Sequence, residues 1–418
     1  MSIVHYNTSQ ASYLPTKTMI QKLRKGGRSP LLLGKRLQID RKGRRSAGLE
    51  FYYPDPNPDN VENLFNYGQS GSGKTWGMMN LIGQSYWFEK RTWVIIDSKG
   101  SYLGNNFAND EYKSELKSFK LPALGIPKKY MVVTAPEYFI NGLTNQEMKM
   151  DQITHSYRIP IAMANIPILF SITKLNPKTM YSSAYDMNWK RMMARTQRKP
   201  RRVDLYNMLN EIMMGQNNTT ARWYETLINK IRDAEDLTLT EDLYSPVGKA
   251  MLQSAFDHKP RWIVVTFKHA DTSADSINLA IYAAVLEEVK RVTTIAKRMN
   301  FDLRVGLYVD EMQYYLREKD TPAYQQTIDA IYRWGRANRV FRVWGTQTNR
   351  HLDPLLQDDI RKYDRDGTYQ KILYFTRMGG PGYCKYMDRQ RENAFDLHTP
   401  YIVPVVKTPP PMFKIMEL

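Results

Sequence analysis

A chain of 418 residues with 42% hydrophobic content is long enough for one large or two ordinary domains with a real core. Its single cysteine, Cys384, excludes a disulfide framework and a cysteine-based zinc site. No stretch approaches the roughly 20 apolar residues of a spanning helix, so a cytoplasmic protein with no transmembrane anchor is expected, while a formal charge of +18 favours a polyanionic partner, nucleic acid ahead of acidic membrane.

Residues 1–60 read as an irregular basic arm ending in the rigid connector Pro54-Asp55-Pro56-Asn57-Pro58. Its charge is dense between Lys22 and Arg45. Leu64 to Tyr67 then reads as a short strand, and Trp76 onward as a helix with Met78, Leu81, Ile82 and Tyr86 on one face. Between them lies Gly68-Gln69-Ser70-Gly71-Ser72-Gly73-Lys74-Thr75, a complete phosphate-binding loop. Glycines let consecutive backbone N–H groups turn inward around an anion, and the helix that follows adds its positive end. This chemistry points to a nucleoside triphosphate as ligand, with Lys74 reaching the β and γ phosphates and the Thr75 hydroxyl on Mg²⁺.

A second strand, Trp93 to Ile96, ends in Asp97-Ser98-Lys99-Gly100. Such a continuous apolar run fits a strand buried on both faces of a parallel sheet, and ligands of open α/β sheets collect at strand carboxyl ends. Asp97 and Lys99 are therefore expected at the nucleotide edge, the alternative being a polar turn that only ends a strand. Tyr130 to Thr134 is a further candidate strand, closing a first core segment over 61–140.

From 141 to 256 the texture changes to Met-rich, helix-period stripes such as Leu205, Met208, Leu209, Ile212 and Met213. This stretch is read as a helical insertion. It carries a second basic cluster, Lys190, Arg191, Arg195, Arg198, Lys199, Arg201 and Arg202, which is the candidate nucleic-acid contact; the alternative is a solvated face.

The core resumes over 257–400, with a strand at Trp262 to Phe267 and a long helix striped by Ile281, Val285, Val289 and Val292. Then Val305 to Val309 presents Asp310 and Glu311 at its carboxyl end, where a Walker B acid holds the Mg²⁺ shell and the next acid polarises the attacking water. The long interval between Lys74 and Asp310 supports the insertion. Thr321-Pro322 starts another helix, which runs out at Gly335-Arg336-Ala337-Asn338-Arg339. The strand Val340 to Gly345 leads to Thr346-Gln347, a glutamine that senses the γ phosphate, positions water or is an ordinary turn residue. Residues 401–418 read as a C-terminal tail.

The ordered set GQSGSGKT, IIDSKG, YVDEMQ, GRANRV and WGTQT resembles the HerA and FtsK superfamily of ring-forming DNA-pumping ATPases, which includes type IV secretion and conjugation ATPases and viral genome-packaging ATPases. The resemblance covers roughly residues 60–105 and 260–380. It implies an α/β fold with a RecA-like P-loop core, a mainly parallel sheet flanked by helices, and assembly as homo-hexamers around duplex DNA, with a secretion or capsid protein as further partner. It makes Asp97 and Lys99 part of the characteristic strand-end motif, Gln347 the sensor and Arg336 the arginine finger, with Arg333 and Arg339 as substitutes. Arg336 is otherwise a helix-end charge or a DNA contact. The expected activity is ATP-driven DNA translocation, the alternatives being a secretion-type assembly ATPase acting on proteins and a HerA-like repair translocase or helicase.

Overall fold

The computed structural model describes residues 30–39, 45–52, 62–69, 71–136, 155–173, 179–267, 275–316, 321–334, 340–347, 370–376, 383–388 and 405–415. In chain order these form strands β1 (Leu31–Ile39), β2 (Arg45–Tyr52) and β3 (Glu62–Gly68), helix α1 (Lys74–Glu89), β4 (Thr92–Asp97), α2 (Lys113–Ser118), β5 (Met131–Pro136), β6 (His155–Tyr157) and β7 (Ile159–Pro160). Helices α3 (Ile166–Thr173), α4 (Thr179–Arg195), α5 (Arg202–Met214) and α6 (Asn218–Thr238) follow, then β8 (Leu239–Thr240) and α7 (Pro246–Asp257). The chain returns to the sheet through β9 (Trp262–Thr266), α8 (Asp275–Arg298), β10 (Val305–Val309), α9 (Pro322–Ile328), β11 (Val340–Thr346), β12 (Gln370–Thr376), β13 (Tyr383–Asp388) and β14 (Val405–Lys407).

Twelve of these strands make one sheet in the order β2-β1-β14-β13-β12-β3-β11-β10-β4-β9-β5-β6. From β12 to β6 every neighbouring pair is parallel. The remaining strands, β13, β14, β1 and β2, join by antiparallel pairing. The central strands β4, β9 and β10 are buried along their whole length, as their unbroken apolar sequences require of strands covered on both faces. Alternation divides their side chains between two cores. Val94, Ile96, Ile263 and Val265 pack with Ile281, Val285 and Val289 of α8, whereas Trp93, Ile95, Trp262 and Val264 pack with Met78, Met79, Ile82 and Tyr86 of α1. Gly306 in β10 makes room for this packing: a Cβ there would lie 2.5 Å from the Trp93 indole.

Helices α3 to α7 occupy most of the described residues from 166 to 257, while β6, which lies within the stretch read as an insertion, belongs to the main sheet. Leu205, Met208, Leu209 and Ile212 are buried as the stripe required, and they join the core on the α8 face of the sheet. Among the described residues no helix is long and apolar enough to cross a membrane.

Two expectations change. The region read as an irregular arm contains two strands, β1 and β2, paired antiparallel, and Leu31, Leu32 and Leu33 of β1 are buried. The apolar residues there occupy a sheet edge next to the P-loop helix, and Leu32 exchanges backbone hydrogen bonds with the Gln84 amide at 2.8 and 2.9 Å. The tail likewise supplies β14, inserted between β1 and β13, and Met412 and Phe413 are fully buried. The connector at 54–58 lies outside the described residues.

Candidate nucleotide hydrolysis site

Four adjacent parallel strands, β3, β11, β10 and β4, end side by side, and their carboxyl ends carry every nucleotide-site residue that the sequence singled out within the described residues. With neighbours about 4.8 Å apart, such an arrangement aims separate loops at one point. The strand bearing Gln347 lies between the strand of the phosphate loop and that of Asp310, as a sensor position requires.

Gly68 ends β3, and the loop turns back through a hydrogen bond from the Ser72 N–H to the Gln69 carbonyl at 3.1 Å. Gly71 and Gly73 stand at φ 73° and 83°, conformations that glycine adopts without strain. Gly73 caps α1, so the cap contributes no side-chain acceptor, and the first turn has no acidic residue. The N–H groups of that turn and the positive end of the helix are thus available to an anion. Ser72 is buried and its hydroxyl has no partner among the described residues, while Thr75 is half-buried. Ser70 lies outside the described residues.

The centre of the site is the Glu311 carboxylate, fully buried on a residue held at φ 56°, ψ 51°. That left-handed conformation is costly for a residue with a Cβ, on the order of 1–3 kcal/mol, and such strain concentrates at functional positions. Oε1 accepts hydrogen bonds from Lys74 Nζ at 3.1 Å, from Gln347 Nε2 at 3.1 Å and from Lys99 Nζ. Oε2 accepts from Gln313 Nε2 at 2.5 Å. Burial alone would raise the Glu311 pKa, but Lys74, Lys99 and Gln313 together bring it down to about 2. Lys99 moves the other way: burial works against its charge, and the Glu311 hydrogen bond and the charges of Asp310 and Glu311 raise its pKa.

Asp310 is buried directly before it. Oδ1 accepts a hydrogen bond from the Tyr308 hydroxyl at 3.1 Å, and Tyr308 in turn meets the Tyr102 hydroxyl at 3.4 Å. Oδ2 has no partner among the described residues. Burial pushes the Asp310 carboxyl up, Lys74 pulls it down and Glu311 pushes it up again. A buried carboxylate oxygen without a donor is expensive unless a cation or its water shell meets it. Asp310 with the Thr75 hydroxyl therefore suits the outer or inner shell of a Mg²⁺ ion held together with phosphates.

Asp97 has a different position from a direct ligand. Oδ1 accepts the N–H groups of Lys99 at 3.0 Å and Gly100 at 2.8 Å, and Oδ2 accepts that of Tyr102 at 3.2 Å. Its carboxylate shapes the loop that delivers Lys99 to Glu311. Burial and then the nearby Asp310 lift its pKa to about 7, against these backbone donors.

Sequence reasoning missed Gln313, Tyr308 and Tyr102. Gln313 follows Glu311 by two residues, but nothing in its spacing marks it as a carboxylate partner. Arg342 was also missed: a cation inside an apolar strand, it is buried and donates from Nη1 to the carbonyls of Ala330 and Trp334, where α9 ends in a wider turn over Asp329–Arg333. Of the finger candidates, Arg336 and Arg339 lie outside the described residues, and Arg333 is exposed and paired with Asp329 at 3.0 Å.

The basic cluster lies on the end of α4, the turn into α5 and the first residue of α5, within the helical segment. Arg195 meets Glu211 at 3.8 Å at exposed positions, and the exposed Arg201 meets the half-buried Asp204 at 3.5 Å. Lys190, Arg191, Arg198 and Lys199 are exposed and pair with no acid among the described residues, and Arg202 is half-buried.

No family model and no curated protein sequence matches the chain. Its fold is found among solved structures. VirB4 of Thermoanaerobacter pseudethanolicus superposes with a TM-score of 0.52 at 15% identity, over 91% of this chain and 96% of that one. A bacterial conjugative coupling protein, TrwBdeltaN70, matches at a TM-score of 0.45 and 11% identity, over 84% of this chain and 74% of that one. The likeness to VirB4 establishes the fold, the RecA-like P-loop core with a mainly parallel sheet that the sequence resemblance implied.

Proposed function

We propose that this chain is a Mg²⁺-dependent ATPase that moves duplex DNA, hydrolysing ATP at the interfaces of a homo-hexameric ring in the cytoplasm. The observation that carries the reading is the meeting of Lys74, Gln347 and Glu311 on one buried carboxylate oxygen at adjacent strand ends. In this reading Gly68, Gln69, Ser70, Gly71, Ser72 and Gly73 cradle the phosphates and Lys74 neutralises the β and γ groups, while Thr75 with Asp310 would hold Mg²⁺, which would supply positive charge beside the phosphate oxygens. Glu311 orients and polarises a water as its oxygen attacks the γ phosphorus and the bond to the β–γ bridging oxygen breaks, the proton passing to the phosphate or to solvent. Gln347 reads the γ phosphate, and Arg336 of a neighbouring subunit stabilises the transition-state charge. Asp97 and Lys99 act together, the first shaping the loop and the second holding Glu311.

DNA as the cargo rests on the charge of +18 and on the sequence resemblance. ATP turnover measured with and without linear duplex DNA tests it: stimulation by duplex is expected, whereas turnover indifferent to DNA moves the reading to an assembly ATPase acting on protein partners.

A further inference from the structure

The amino ends of the central strands, opposite the nucleotide site, carry a row of cations that the hydrolysis site does not use. Strands β10, β4, β9 and β5 are consecutive in the sheet, and their first residues are level: Thr92 pairs with Val305, Trp93 with Trp262 and Met131 with Trp262. The Thr92 N–H donates to the Arg304 carbonyl and the Trp93 N–H to the Arg261 carbonyl, both at 2.9 Å. Immediately ahead of these strands stand Arg304, Lys90, Lys259 with Arg261, and Lys128 with Lys129.

The acids at this edge are already engaged. Asp257 pairs with Arg261, Asp302 meets Arg304 at 3.4 Å and Glu89 meets Arg91 at 3.3 Å. Lys90, Lys128, Lys129 and Lys259 are exposed and have no acidic partner among the described residues. Three cations also converge on one half-buried ring: Lys129 Nζ at 5.1 Å, Lys259 Nζ at 5.9 Å and Arg261 Cζ at 5.0 Å from the Tyr130 centroid. The ring's electron-rich face offsets part of their mutual repulsion. A strand of five residues puts this edge about 17 Å from the phosphate site, too far for these lysines to serve ATP.

We propose that this edge is a docking surface for the phosphate backbone of nucleic acid. Across four neighbouring strands the chain positions that carry these residues span about 14 Å along the sheet edge. That geometry suits a linear polyanion, in which each strand of duplex carries a charge about every 3.4 Å along the axis. The proposal rests on the DNA-moving reading and adds a contact surface distinct from the cluster at 190–202.

The test is fluorescence anisotropy of a labelled, mixed-sequence duplex with the full chain across a salt series, for wild type and the triple variant Lys128→Ala, Lys129→Ala, Lys259→Ala. Each lost phosphate contact flattens the log–log salt dependence by about 0.9, so the triple variant is expected to lower the slope by about 2 to 3 while keeping the DNA-free ATPase rate and the melting temperature. A single reversal, Lys129→Glu, gives the same direction should the triple variant fold poorly. An unchanged slope in both variants overturns the proposal and leaves the DNA reading standing. A wild-type chain with no salt-dependent duplex binding overturns both. If the substitutions abolish binding to anionic phosphatidylglycerol vesicles and leave duplex binding intact, the surface faces lipid, with the exposed Phe256 beside Phe301 as its apolar neighbour, and the proposal fails.

Discussion

Lys74 Nζ and Glu311 Oε1 stand 3.1 Å apart, both buried, although 237 positions separate them in the chain. The contact joins the phosphate loop to the end of β10 and makes binding and hydrolysis parts of one electrostatic unit. Lys74→Ala and Glu311→Gln are each expected to lower turnover by roughly 10²–10³-fold or more, with the circular dichroism spectrum unchanged. Glu311→Gln keeps the shape of the side chain and should retain nucleotide binding, measured with a fluorescent ATP analogue. Wild-type turnover in either folded variant contradicts the assigned roles.

Two residues act through others. Gln313 holds the second Glu311 oxygen, and Tyr308 holds Asp310. Gln313→Ala is expected to reduce kcat by about tenfold with little change in KM for ATP, because it loosens the geometry of a group that acts in the transition state. Tyr308→Phe should instead raise the Mg²⁺ concentration needed for half-maximal turnover by about 10-fold, as second-sphere partners of metal ligands do. Equal effects of both variants on kcat and on Mg²⁺ demand would argue for general damage.

Glu288 offers a pH signature away from the site. Its carboxylate accepts the Ser245 N–H at 2.8 Å and the Ser245 hydroxyl at the start of α7, and burial, opposed by these donors, lifts its pKa to about 7. A carboxyl raised above its unfolded value of about 4.3 binds its proton more tightly in the native state. Its contribution is therefore present below about pH 4.3, is lost as pH rises towards 7 and levels off above. Glu288→Gln is expected to flatten the fall in melting temperature between pH 5 and 8; a parallel curve for wild type and variant contradicts this assignment.

The proposed arginine finger acts between subunits, so complementation should reveal it. Lys74→Ala and Arg336→Ala proteins are each expected to be nearly inactive alone. A random equal mixture of subunits places an intact Lys74 against a neighbour's intact Arg336 at about one interface in four, and activity should recover to on the order of that fraction. Continued inactivity in the mixed assembly would move the finger to another residue or remove it.

The parallel centre of the fold was legible because strands covered on both faces are continuous apolar runs, and Trp93 to Ile96, Trp262 to Thr266 and Val305 to Val309 have no other comfortable place. The positions of the phosphate loop, Asp310, Glu311 and Gln347 were legible because each directly follows an apolar strand, and those strands end side by side. The antiparallel extension was hidden. In β1 and β2 the apolar residues are diluted by Lys35, Arg36, Arg45 and Gly34, and β14 is only three residues long in a proline-rich tail. Gln313 and Arg342 were illegible for a different reason: their partners, the Glu311 carboxylate two residues earlier and the Ala330 and Trp334 carbonyls at the preceding helix end, are set by turn geometry that local pattern does not reveal. The Asp97 motif was found, but only the fold reveals that its carboxylate is spent on the backbone N–H groups of its own loop.

The most direct test of the whole account is the steady-state ATPase rate of the full chain with no nucleic acid, with linear duplex DNA and with single-stranded DNA, using Lys74→Ala as the blank. A DNA-moving ATPase predicts turnover that depends on Lys74 and rises several-fold with duplex in particular. Turnover that depends on Lys74 but ignores both forms of DNA would contradict the DNA-moving function while leaving the hydrolysis site intact.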